Sequence, residues 1–160
     1  MSAPREDRPR PDPRVVWGTL GLPLLGMLAI ELLLGMALNL FTALPTGSPA
    51  SIVLSSPLLL LHMVLGVLLV GITSRAVVLS ARIHERAALS ASALGLVSVL
   101  VALLAGLSFT FGDPSNAASF GMAAGFTGAF LSAGLILWLR GGSAGGRAGA
   151  TPDRASRGEA

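Results

Sequence analysis

Two ionisable residues stand inside otherwise apolar stretches of the chain, and they are its best candidates for chemistry. Glu31 is the only residue able to carry a charge in the run Val15–Leu44, and His62 lies in the run SSPLLLLHMVLGVLLVG. A carboxyl and an imidazole are common partners for holding or transferring a proton. Because a charged residue at the centre of a bilayer costs roughly 2.5–3.5 kcal/mol, each should face protein or water rather than lipid.

Helical spacing extends each candidate into a stripe of small and polar residues. Glu31, Gly35 and Asn39 follow steps of four, and Gly66 follows His62 by four. In antiparallel neighbouring helices, Glu31 and His62 come within about one helical turn of depth. We therefore predict a buried polar cluster of Glu31, Asn39 and His62 that is open toward the outer face. Two interpretations stay open: a hydrogen-bonded pair that fixes helix register, or a titrating group on a proton or cation path.

A second interpretation of His62 is a haem ligand. His62 and Gly66 form a His-x-x-x-Gly motif, which resembles the haem-ligating helices of b-type cytochromes, where the glycine makes room for the porphyrin face. The resemblance implies haem b bound through His62. Those proteins generally supply a second axial histidine at the same depth, whereas His84 lies in a connector on the other side of the membrane. We therefore predict no cofactor and no metal site, with haem through His62 as the alternative.

Composition and run length predict an integral membrane protein. The chain is 52% hydrophobic and 12% charged, about half the charged fraction of a soluble domain. Its four apolar runs each exceed the roughly 20 residues that a helix needs to cross a hydrocarbon core. We predict an all-α membrane protein, a four-helix antiparallel transmembrane bundle over 15–139 with disordered tails at 1–14 and 140–160. The predicted spans are about 17–41, 54–78, 88–110 and 117–139.

The arginines predict the orientation of the bundle. All eleven basic residues are arginines, four in the N-terminal tail, three around the second connector and four at the C-terminal end. With four spans, all these regions lie on one side, so the positive-inside rule places both termini in the cytoplasm. Arg75, Arg82 and Arg86 follow steps of seven and four, which predicts one face of a helical extension that binds anionic lipid headgroups. The preference for arginine over lysine is typical of a GC-rich bacterium, so we predict the inner membrane.

Two further stripes of small residues predict close helix packing. The third span carries Gly95 and Gly106, and the fourth carries Gly121, Gly125 and Gly128. Packing within one bundle is the favoured interpretation, because the two stripes can satisfy each other. Homodimerisation through the fourth span is the alternative.

The missing motifs argue against an enzyme. The chain has no cysteine, so disulfides and thiolate metal sites are excluded, and no hydrolase, zinc-protease or phosphate-binding motif is present. We predict a non-enzymatic protein for proton-coupled or small-solute handling, or a subunit of a larger membrane complex. The alternatives are a haem-bearing electron-transfer subunit and a structural or assembly partner. The predicted partners are the lipid bilayer and another membrane subunit, as a homo- or hetero-oligomer, and not nucleic acid.

One resemblance covers most of the chain. The stretch E-L-x-L-G-x-x-L-N-L-F followed by proline, the histidine of LLLHMVLG and a basic hairpin together resemble small four-span bacterial membrane proteins of unknown function. The resemblance covers about Trp17–Leu139. It implies the four-span architecture and no mechanism.

Overall fold

The computed structural model describes residues 13–41, 47–112 and 115–145, and within these ranges every regular element is a helix. Four of the helices are long and apolar enough to cross a membrane, which confirms the predicted helical bundle of a multi-pass membrane protein. The helices are α1 (Pro13–Phe41), α2 (Pro49–Ser55), α3 (Pro57–Ile83), α4 (Arg86–Phe111) and α5 (Asn116–Gly145).

The four long helices form a ring in the order α1, α3, α4, α5, and α5 closes the ring against α1. Neighbouring helices run in opposite directions. Gly21 near the start of α1 faces Leu137 near the end of α5, and Ser132 of α5 donates a hydrogen bond to the carbonyl of Ala91 near the start of α4. The ends of the bundle therefore differ: the α2 end carries α2 and the α4–α5 connection, and the arginine end carries the α3–α4 turn.

The second predicted span begins later than expected, because a short separate helix precedes it. Ser56 is extended, with φ −125° and ψ 99°, and separates α2 from α3. The residue before a proline is disfavoured in the helical region, and Pro57 supplies that constraint. The Ser56 hydroxyl then accepts a hydrogen bond from the backbone N–H of Leu59 at 3.3 Å and caps α3. The candidate span is the helix Pro57–Ile83, whereas the predicted span was about 54–78.

The α3–α4 turn corrects the prediction that three arginines share one helical face. His84 has a left-handed backbone with φ 57° and ends α3. Arg86 is consequently the first residue of α4, on a different helix from Arg75 and Arg82. All three side chains are exposed. Their binding to lipid headgroups stays a prediction, but it would involve two helices rather than one helical face.

The helix ends bear on the predicted tails. α1 begins at Pro13, inside the range 1–14, and α5 continues to Gly145, inside the range 140–160. The rest of both predicted disordered tails lies outside the described residues. The observed spans Gly21–Phe41, Arg86–Phe111 and Asn116–Leu139 otherwise match the predicted first, third and fourth spans to within a few residues.

Small residues let α4 and α5 pack closely, so that glycines of α5 lie directly against α4. A Cβ at Gly125 would lie 2.6 Å from the backbone N of Ala102 and 2.6 Å from the carbonyl O of Ser98. Gly128 faces a side chain instead, the Ser98 hydroxyl. The other predicted glycines at this interface are Gly95, facing Ser132, Gly106, facing Met122, and Gly121, facing Ala105. These positions are those expected for packing within one bundle, which stays a prediction, as does homodimerisation.

Apolar side chains fill the bundle in separate clusters along its length. The central core, in the middle of the bundle, receives residues from all four long helices: Leu24, Leu28, Leu69, Val99, Ala129 and Ala133. The α2-end cluster is smaller, and its buried members are Leu38, Ile52 and Leu59. A third cluster of Ala76, Ala88, Ala91 and Ile136 lies toward the arginine end. The candidate site lies between the first two.

Candidate functional site

Glu31 and His62 meet at the interface between α1 and α3. The distance from His62 Nδ1 to Glu31 Oε1 is 2.9 Å, and the Glu31 side chain is 4% exposed while that of His62 is 24% exposed. The prediction that antiparallel spans bring these two residues to the same depth therefore agrees with the structure. A buried carboxyl and a partly exposed imidazole form one ionisable unit at ion-pair distance.

The pair is close but does not satisfy all of its polar atoms. The Nδ1 and Oε1 atoms are at hydrogen-bond distance, yet His62 Nδ1 lacks the alignment of a hydrogen bond. Glu31 Oε2 is buried and has no hydrogen-bond partner among the described residues. A carboxylate without donors in an apolar interior is costly, whereas a protonated or ion-paired carboxyl is tolerated.

Two glycines make this contact possible, and they do so reciprocally. Gly35 lies one turn after Glu31 on α1, and a Cβ there would be 3.3 Å from His62 Cε1. Gly66 lies one turn after His62 on α3, and a Cβ there would be 3.3 Å from Glu31 Oε1. Each helix thus offers a glycine surface to the ionisable side chain of the other. A Cβ at either position would require the facing side chain to shift by a few tenths of an ångström.

The carboxyl lies where three helices meet. The Gly66 position that faces Glu31 also faces Leu103 Cδ1 of α4, at 3.8 Å from a Cβ built there. Toward the arginine end the pair is followed by the central core, which begins with Leu28 and Leu69. Toward the α2 end it is covered by the α2-end cluster. The pair consequently lies between two apolar clusters, and this placement corrects the expectation of a polar cluster open to the outer face.

No other described charge compensates the pair. Among residues 21–41 of α1, 86–111 of α4 and 116–139 of α5, the ionisable residues are Glu31 itself and Arg86, at the first position of α4. On α3 the nearest charged residue is Arg75, thirteen residues from His62 and so roughly 20 Å along the axis. Arg75 is exposed. Among the described residues, a charge on Glu31 or His62 can therefore be balanced only by the other member of the pair.

Asn39 does not belong to this cluster, contrary to the prediction. It is exposed near the end of α1. Eight residues turn an α-helix by two turns plus about 80°, so Asn39 lies well off the face that carries Glu31 and two turns away along the axis. Leu38, the preceding residue, is the one buried against α2 and α3.

The histidines do not form a haem-binding pair within one chain. His62 lies near the α2 end of α3, and His84 is the exposed residue that ends α3 at the arginine end. The His84 Nδ1 atom is 3.1 Å from the carbonyl O of Arg82. In the described part of the chain, no three His, Asp or Glu side chains come together as a metal site.

Sequence reasoning missed the buried hydroxyls that tie the helices together. Ser80 Oγ donates to the Ala76 carbonyl at 2.7 Å and lies 3.0 Å from Ser92 Oγ on α4. Ser132 Oγ donates to the Ala91 carbonyl at 2.6 Å. Serine in an apolar helix gave no signal of its own, because it also fits a small-residue stripe. These contacts fix the arginine end of the ring.

Comparison with known proteins leaves the geometry to carry the functional argument. No family model, curated protein or solved structure matches this chain. The resemblance to small four-span bacterial membrane proteins stays a prediction from the sequence.

Proposed function

We propose that this protein is a non-enzymatic integral membrane protein that binds a proton at the Glu31–His62 pair and couples its binding to the packing of α1 against α3. The observation that carries the proposal is the buried carboxyl, 2.9 Å from an imidazole through Oε1 and without a described partner at Oε2. Intramembrane ionisable residues that face a bundle interior are typical of proton relays and coupled transport.

Charge counting explains why the pair responds to protons. With one proton between them, Glu31 and His62 are neutral together, either as a carboxylate with an imidazolium or as a carboxyl with an imidazole. A second proton leaves an unpaired imidazolium, and loss of the first leaves an unpaired carboxylate. Either state places a lone charge between apolar clusters, which is strongly unfavourable. The contact between α1 and α3 is therefore most stable with one proton bound.

The arginines support an orientation for this function. Arg75, Arg82 and Arg86 are exposed at the arginine end, and the positive-inside rule assigns that end to the cytoplasm. Both termini are then cytoplasmic, the α2 end faces outward in a bacterial inner membrane, and the guanidinium groups bind anionic headgroups. The protein performs proton-linked handling of a small solute, alone or as a subunit of a larger membrane complex.

Infrared difference spectroscopy of the purified protein in lipid, recorded between acid and alkaline pH, tests proton binding. The expected result is a carboxyl band that disappears in Glu31→Gln and shifts in His62→Gln. Glu85→Gln is the matched control, because Glu85 is an exposed carboxyl at the arginine end. The absence of any pH-dependent signal assigned to Glu31 or His62 would overturn the proposal. A Soret band in the purified protein would replace it with the haem alternative.

A further inference from the structure

We infer that the Glu31–His62 pair exchanges its proton through the α2 end only, that His62 is the residue through which the proton enters, and that α2 is the gate of this route. The inference rests on the proposed proton binding and adds to it the direction and the control of access. It makes the protein a proton-responsive switch that faces one compartment, rather than a conduit through the membrane.

The pair lies much closer to one end of the bundle than to the other. His62 is five residues from the start of α3 at Pro57, roughly 8 Å along the axis, and twenty-one residues from its end at Ile83, roughly 32 Å. The path from the pair to the arginine end is filled by the central core, in which Leu28 is 1% exposed, Leu69 2% and Ala133 0%. That direction is closed by side chains from all four long helices.

The path from the pair to the α2 end is covered by one thin layer of apolar residues. Leu38 of α1, Ile52 of α2 and Leu59 of α3 are its three buried residues. Leu38 comes seven residues after Glu31, and Leu59 three residues before His62, so both lie on the α2 side of the pair. Each helix contributes one buried residue to the layer, and Val53, Leu58 and Met63 pack against it partly buried. Displacing α2 removes Ile52 and Val53 from this layer.

The helix suited to move is α2. Ile52 is its only buried residue, at 8% exposure, and Leu54 on the same helix is 75% exposed. A single non-helical residue, Ser56, joins α2 to α3, and its N–H reaches the Val53 carbonyl at the long distance of 3.4 Å. Pro57 has no N–H with which to continue the helical hydrogen bonding. α2 is thus held by one buried and one partly buried side chain, Ile52 and Val53, and can turn about Ser56.

The two side chains of the pair lie at different distances from the α2 end, with the imidazole nearer to it. The imidazole of His62 lies at the level of Gly35, and the carboxyl of Glu31 lies at the level of Gly66, one turn further from the α2 end. His62 is also the more exposed partner, at 24% against 4%. A proton from the α2 end consequently meets the imidazole first and passes to the carboxyl across the 2.9 Å contact.

Thiol labelling tests the route, and the chain suits it because it has no cysteine of its own. His62→Cys provides a single thiol at the pair, and a membrane-impermeant maleimide is added to either face of oriented vesicles. Labelling is expected from the α2 end, and Ile52→Ala should accelerate it about tenfold, because most of one buried isoleucine side chain no longer holds the gate closed. Leu54→Ala is the matched control on α2 and should leave the rate unchanged. Glu85→Cys marks labelling from the arginine end.

Three outcomes would overturn the route: faster labelling of His62→Cys from the arginine end, equal effects of Ile52→Ala and Leu54→Ala, or no labelling from either side in Ile52→Ala. If His62→Cys does not fold, the same two α2 variants are compared in the protein with its pair intact, by the rate of the infrared carboxyl signal after a pH jump. Thiol access is independent of proton binding. Loss of the infrared signal would therefore refute the proposed function, while the labelling pattern would refute only the route.

Discussion

Gly35 and Gly66 are related by a reciprocal contact across the α1–α3 interface. Each lies one turn after the ionisable residue of its own helix and directly against the ionisable residue of the other. The pattern Glu-x-x-x-Gly on one helix and His-x-x-x-Gly on its antiparallel neighbour is therefore a single structural unit. The missing Cβ at each glycine makes room for the side chain of Glu31 or His62, and not for contact between the two backbones.

Replacing either of these glycines should strain the ionisable pair. In Gly66→Ala the new methyl group lies 3.3 Å from Glu31 Oε1, and in Gly35→Ala it lies 3.3 Å from His62 Cε1. Overpacking costs roughly 1–3 kcal/mol, and we expect the lower part of this range because a side chain can yield. Thermal unfolding in detergent measures the loss, and the imidazole resonances of His62 should shift. Gly71→Ala, which meets no described atom within 4 Å on α3, is the control. An equal loss in all three variants would contradict the reciprocal contact.

The α4–α5 interface should tolerate an added methyl group much less well. In Gly125→Ala the new Cβ lies 2.6 Å from two backbone atoms of α4, which can move only if the helices separate. We expect a loss of roughly 3 kcal/mol, at the upper end of the overpacking range. Gly134→Ala on the same helix meets no described atom within 4 Å and should change stability by less than about 0.5 kcal/mol. Similar melting temperatures for the two variants would show that Gly125 does not face α4.

The orientation can be read with reporter fusions. Fusions at Gly47 and Asn116, at the α2 end, should be active outside the cytoplasm, and a fusion after Arg86 should be active inside it. The physical reason is the retention of arginines on the cytoplasmic side. Neutralising Arg75, Arg82 and Arg86 together should weaken this bias without altering the helices. A cytoplasmic signal at Gly47 would reverse the assignment of the two ends.

The sequence predicted the features that depend on period and length. Four apolar runs predicted four spans, and an antiparallel arrangement with a fixed rise per residue predicted that Glu31 and His62 lie at one depth. Steps of four were less reliable over a longer distance. Each step of four overshoots a turn by about 40°, so Gly35 still faces His62 while Asn39 has left the interface.

The features that the sequence did not predict depend on backbone choices at single residues. The left-handed conformation of His84 separates Arg86 from Arg82, and few residues other than glycine adopt this conformation. The break at Ser56 creates α2 and, with it, the layer over the pair. The predicted span 54–78 ran through this break, and the packing of Ile52 against Leu38 and Leu59 shows what the short helix covers.

The final prediction is that Glu31 and His62 contribute to stability as one unit whose effect depends on pH. Removing one partner of a buried pair costs roughly 3–5 kcal/mol, whereas replacing both with apolar residues is often neutral. Glu31→Leu and His62→Leu should therefore each destabilise the bundle, and the double variant should lose less than the sum of the two. The interaction energy in this cycle should fall within roughly 0.5–3 kcal/mol.

The pH dependence of stability in this cycle distinguishes an ionisable pair from simple packing, because packing alone does not give opposite pH responses in the two single variants. In Glu31→Leu the lone imidazole gains a charge in acid, so stability should fall only toward low pH. In His62→Leu the lone carboxyl gains a charge as the pH rises, so stability should fall only toward higher pH. The wild-type protein should weaken on both sides, and the double variant on neither. Unfolding free energies in detergent across this pH range measure all four, and strictly additive losses with parallel pH profiles would show that the two side chains act independently.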